Sequence, residues 1–297
     1  MTRTGWRPVL VLAVAAALAG TACGSSAEPS SSPDGDAPAF LLRATTTQAL
    51  PPEAVFAWGP TAMITADGVL VGPGAVPAIF PGPLVTPYFG RQVSEAGFAR
   101  IVERARELGL LDGNGDFSPA DALVGGQMGR IELAVDGALR TLVGDPGRVI
   151  QCVTTPCEPA PGTPEAFATF FQNVSDLPSL LGGELGPEQP YTPAGYAMLI
   201  GVQPVDAAGI EPQVMTWPLT TALADIGRPI GDDHILPRCG TVLDPADVAT
   251  LAAAFGAANQ LTRWVDEGDA PADAVVLTVR PLFVGEDPCQ ELFGIDA

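Results

Sequence analysis

The chain reads as an α+β protein: antiparallel sheets built from hairpins, amphipathic helices packed on one face, and two halves of similar size. Three observations predict this. Two Asp-Gly turns, Asp67-Gly68 and Asp136-Gly137, each stand between runs of alternating apolar residues, the short-range signature of a hairpin. Three segments repeat apolar residues at helical spacing and begin on residues suited to capping. Between them the strands turn back sharply, without the repeated strand-helix crossovers that a parallel sheet needs.

Taken in order, residues 1–22 have the form of a secretion signal. Arg3 and Arg7 make a basic start, residues 9–19 are an apolar run too short for a comfortable membrane span, and small residues close it before Cys23. "LAGTAC" resembles the bacterial lipobox, which implies cleavage before Cys23 and acylation of its sulfur and new amine; Gly20 stands where the motif most often has leucine. By that resemblance the mature protein is a lipoprotein held on the extracytoplasmic face of the cell membrane, since two or more acyl chains give stable anchoring. Residues 24–39 are rich in Ser, Pro and Gly and lack apolar periodicity, so residues 23–39 read as the lipidated cysteine and a flexible tether. A coil of that length reaches roughly 22 Å.

The first half, residues 40–150, runs hairpin, helix, hairpin. Residues 61–74 alternate around Asp67-Gly68, and a loop full of proline and glycine follows over residues 72–87. The next helix carries Phe98, Ile101, Val102, Ala105 and Leu108 on one stripe, with Ser94 as N-cap and Gly109 as stop. Residues 130–144 turn at Asp136-Gly137. A connector follows over residues 151–190, with Cys152 and Cys157 and then an amphipathic helix over residues 164–177.

The second half, residues 191–297, opens with a strand over residues 196–205, then "QVMTWPL" and a short helix near residues 219–226. The longest predicted helix covers residues 244–265, with Asp244 as cap, Pro245 in the first helical position and Asp247 at the positive end of the dipole. Its expected buried stripe is Val248, Leu251, Ala252, Phe255 and Ala258. Residues 274–284 form a strand, and a disulfide-tethered tail ends the chain.

Charge and cysteines bound the function. The formal net charge is −20, and all 14 basic residues are arginine. Nucleic acid is therefore excluded as a partner, because no basic patch exists to release counterions. Of five cysteines, assigning Cys23 to lipid leaves Cys152, Cys157, Cys239 and Cys289, an even set for an oxidising compartment. The simplest pairing is Cys152 with Cys157 and Cys239 with Cys289, one of three connectivities.

Two stretches invite chemistry. In "LDGNGDFSPAD", Asp112, Asn114, Asp116 and Ser118 have the alternate spacing of oxygen ligands that opens a calcium loop and resembles the start of a dockerin loop. Its end departs from the pattern: Phe117 stands where glycine is needed, and the closing acid, Asp121, comes two residues early. The same residues also suit a connecting turn, which is the reading preferred. His234, the only histidine, follows Asp232 and Asp233, and an envelope hydrolase using His234 with either acid is the alternative function. Against it, no nucleophile elbow is present and adjacent acids on a strand point to opposite faces. Trp58, Trp217 and Trp264 read as core or cleft residues rather than a carbohydrate platform.

The succession "TADGVL", "LGLL", "VDG", "TWPL" and "RPLFVGEDPC" is similar to that of uncharacterised predicted lipoproteins of actinobacteria and related high-GC bacteria. The resemblance implies the compartment and a coherent fold and carries no catalytic residue. The expected function is a non-enzymatic binding or interaction module without a cofactor, held to the membrane through its lipid and taking an envelope protein or a small molecule as partner.

Overall fold

The computed structural model describes residues 38–120, 126–148, 158–202, 209–231 and 237–295. The fold is α+β with two sheets.

The first half of the chain supplies β1 (Phe40–Thr47), helix α1 (Pro52–Val55), β2 (Ala62–Thr65), β3 (Val69–Pro73), β4 (Tyr88–Gln92), helix α2 (Glu95–Glu107), β5 (Asp116–Phe117), β6 (Met128–Val135) and β7 (Ala138–Gly144). Helices α3 (Pro164–Ser175) and α4 (Leu177–Leu181) and strand β8 (Gln189–Pro190) follow. The eight strands lie in the order β5-β7-β6-β1-β2-β3-β4-β8. All neighbours are antiparallel except β5 and β7. Both predicted hairpins form. Asp136 (φ 52°) and Gly137 (φ 80°) are both left-handed, the two-residue turn whose twist matches the strands it joins.

Helix α2 starts where Ser94 accepts the amide of Gly97 and stops before Gly109, which has φ 66°. Its predicted stripe faces inward, with Ile101, Ala105 and Leu108 buried and Phe98 and Val102 partly so. Thr163 caps α3, whose Phe167, Phe170, Phe171 and Val174 join Leu42, Ile64, Ile131 and Leu133 in the same core. The helix predicted in a connector is thus an integral layer on the first sheet, because four large apolar side chains within three turns need that sheet to be buried.

The second sheet contains β9 (Gly195–Ile200), β10 (Val214–Thr216), β11 (Arg228–Pro229), β12 (Arg238–Val242), β13 (Arg263–Val265) and β14 (Val275–Leu282). The order is β10-β13-β14-β9-β12-β11, antiparallel except for β10 with β13. Helix α5 (Pro245–Gly256) covers one face with Val248, Leu251 and Phe255 against Tyr196, Met198, Leu277 and Val279. On the other face Leu292 and Phe293 of α6 (Pro288–Phe293) pack with Phe56, Ala197 and Leu199. Helices therefore cover both faces of this sheet, where one was expected.

Two further expectations change. The helix predicted over residues 244–265 ends at Gly256, and the remainder turns into β13. Asn259 accepts the amide of Leu261 through its side chain, and its own amide donates to the Thr262 hydroxyl; this local turn competes with helix continuation. Of the expected stripe, Ala252 lies exposed within α5, while Ala258 is buried in the turn after it. The short helix expected near residues 219–226 is a single 3₁₀ turn, Leu223–Asp225.

The two sheets are interlocked in one compact unit, Ala37–Ala297. Phe56, at the end of α1, is fully buried against the second sheet, and Phe283, just after β14, packs on the first with Phe40, Met63 and Val71. The β3–β4 loop arches onto the second half, where Gly82 donates its amide to Gln260 Oε1 and Leu84 and Val85 pack beside the α5 core. Arg280 of β14 donates to the carbonyl of Trp58 and pairs with Glu286 at 2.5 Å, both side chains being buried.

Candidate functional site

A wide concavity lies between α1 and the β3–β4 arch. It encloses about 810 Å³. Ala54 and Ala57 form one wall, Phe80 and Leu84 the other, and Leu277 and Val279 of β14 the floor. Glu53 is the one charged residue among the described residues that line it. Local sequence accounts for both walls. Pro51 and Pro52 preset the first turn of the short α1, and the prolines of the arch deny it helix and ladder alike. The arch leaves Ile79 and Phe80 68% and 54% exposed, large apolar groups held in solvent beside the groove.

On the other flank of the arch is a smaller pocket of about 210 Å³. Tyr88, Tyr191 and Tyr196, all the tyrosines of the chain, converge there with Phe255, and no charged residue is among its described lining. Burial raises the pKa of all three phenols. For Tyr88 the charge of Arg280 partly offsets that rise, while Glu286 reinforces it. A third concavity, about 340 Å³, has Asp266, Asp269 and Asp273 at its mouth and the buried Trp264 in its wall. Asp266 is committed there as acceptor of the Leu223 amide.

Among the sequence-predicted residues, Cys239 and Cys289 are joined, with Cα atoms 5.6 Å apart. This bond pins α6 to β12. Cys23, Cys152, Cys157, Asp121, Asp232, Asp233 and His234 lie outside the described residues. Asp112, Asn114, Asp116 and Ser118 build a turn. Asn114 Oδ1 accepts the amide of Asp116, and Asp116 Oδ1 accepts that of Ser118, a bond that lowers the Asp116 pKa. The turn delivers β5 to the sheet edge, with Phe117 buried and stacked at 6.1 Å on Phe167. Among the described residues no group of three or more His, Cys, Asp or Glu side chains could hold a metal ion. Trp217 and Trp264 pack in the second core, while Trp58 is 41% exposed.

The groove residues were not singled out from sequence, because a concavity formed by α1, the arch and β14 joins positions more than 200 apart. One signal was present: Pro281 interrupts the donor pattern of a strand that otherwise reads as central. No family model, curated protein or solved structure matches the chain.

Proposed function

We propose that the protein is a lipid-anchored extracytoplasmic binding module without enzymatic activity, and that its ligand occupies the groove between α1 and the arch. The anchoring half rests on Cys23 in "LAGTAC" and on the Ser- and Pro-rich residues that follow. The binding half is carried by the groove itself: about 810 Å³, within the range of ligand pockets, with apolar walls and a single charged group in its described lining. Its walls come from both halves of the chain, so the interlock of the two sheets holds it preformed.

Two measurements test the two halves separately. Radiolabelled palmitate should mark the protein and leave a Cys23→Ala variant unmarked; equal labelling of both sinks the anchor. Nile red, a neutral apolar dye, should bind the full chain with a blue-shifted emission, and Leu84→Asp should weaken it at least tenfold. An unchanged titration in that variant removes the groove as the site.

A further inference from the structure

Along the floor of the groove runs a strand edge without a ladder partner, although the side chains of Leu277 and Val279 are themselves buried. Strand β14 is eight residues long, and its neighbour β13 is three. Strand β13 pairs only with Val275 and Val276, after which the chain has turned away: the amide of Thr262, which would face Leu277, donates instead to the carbonyl of Asn259. On its other side β14 pairs with β9 from Leu277 to Leu282.

The ladder fixes which backbone groups remain. Gly201 donates its amide to the carbonyl of Val276, so Val276 points its polar groups at β9. In an antiparallel ladder this alternates, so Thr278, Arg280 and Leu282 also face β9, while Leu277, Val279 and Pro281 face the groove. The amides and carbonyls of Leu277 and Val279 then have no backbone partner among the described residues. Pro281 agrees with this parity. It has no N–H to give, and it stands where that N–H would meet no ladder. It also marks where an added strand must stop.

We propose that this edge binds an extended peptide segment of a partner protein, which adds to the second sheet beside β14 at Leu277–Val279. The inference rests on the reading of the groove as the ligand site and names the ligand. Two donors and two acceptors in a row match the backbone of a strand, and α1 and the arch leave room above and below for its alternating side chains. The apolar walls select small or branched apolar side chains. Glu53 at the wall and the net charge of −20 favour basic residues at the segment's ends.

The test uses three synthetic peptides on the full chain: KVTVTVK, the same peptide N-methylated at its three valines, and the same N-methylated at its two threonines. An added strand turns alternate amides to β14. One methylated isomer should therefore lose at least tenfold in affinity while the other stays within about threefold of the parent. Amide exchange gives a second readout: in the free protein Leu277 and Val279 should exchange fast while Thr278 and Arg280 are protected, and saturating parent peptide should slow the first two. Equal affinity of all three peptides, or no peptide binding and unchanged exchange while Nile red still binds, overturns strand addition and leaves the groove standing. Loss of both peptide and dye binding brings down the two readings together.

Discussion

At the scale of the residue, Arg280 and Glu286 tie the halves together. Arg280 reaches back to the Trp58 carbonyl, and Glu286 also accepts the Phe283 amide at 3.2 Å. Removing one partner leaves a buried charge without its counter-charge, so Glu286→Ala should destabilise by about 3–5 kcal/mol in urea unfolding. The double variant Arg280→Met, Glu286→Leu should lose less than Glu286→Ala alone; a loss equal to the sum of the two single changes would mean the pair is not coupled. Glu132 behaves differently. Burial pushes its pKa up, but hydrogen bonds and ion pairs with Arg43 and Arg130 outweigh this and leave it below the ordinary 4.5. Its stabilisation is thus full above pH 4.5 and lost as pH falls through the lowered value. Glu132→Gln should flatten the acid limb of the stability curve. The tyrosines give the opposite sign: burial raises all three pKa values, so the phenolate rise in absorbance at 295 nm should come at higher pH in the folded protein than in the urea-unfolded chain. An unshifted rise for even one tyrosine would refute the buried pocket.

At the scale of the element, local signals decided where helices begin, and nonlocal packing decided where some of them end. Asp244 accepts the amides of Ala246 and Asp247, and Asp244→Ala should lower stability by about 1 kcal/mol, with hydrogen exchange rising first in the opening turn of α5. Hairpin turns and caps were legible because their chemistry lies within four residues. The end of α5 was not, since Ala-rich helical spacing continues past Gly256, and the Asn259 turn that stops it is reinforced by the docking of Trp264 between Trp217 and Phe255, which the spacing does not show. Strand β1 escaped notice for the same reason. Its run FLLRATTT shows no turn signal of its own, yet it sits between β6 and β2 near the middle of the first sheet.

At the scale of the whole molecule, the Cys239–Cys289 bond closes a loop 50 residues apart in sequence. On the loop-entropy account, replacing both by serine should cost about 4 kcal/mol. Because α6 and α1 share one core through Phe293 and Phe56, the loss should also loosen the α1 wall of the groove, read as weaker Nile red binding. The sequence by itself determined the α+β class, the two hairpins and the caps at Ser94 and Asp244, all of which follow from short-range periodicity and local side-chain chemistry. Tertiary structure alone decided that α3 belongs to the first sheet, that the two halves interlock through Phe56, Phe283 and Arg280, and that β14 keeps an unpaired edge. Each of these joins residues far apart in the chain, and burial and strand pairing exist only once the chain has brought them together.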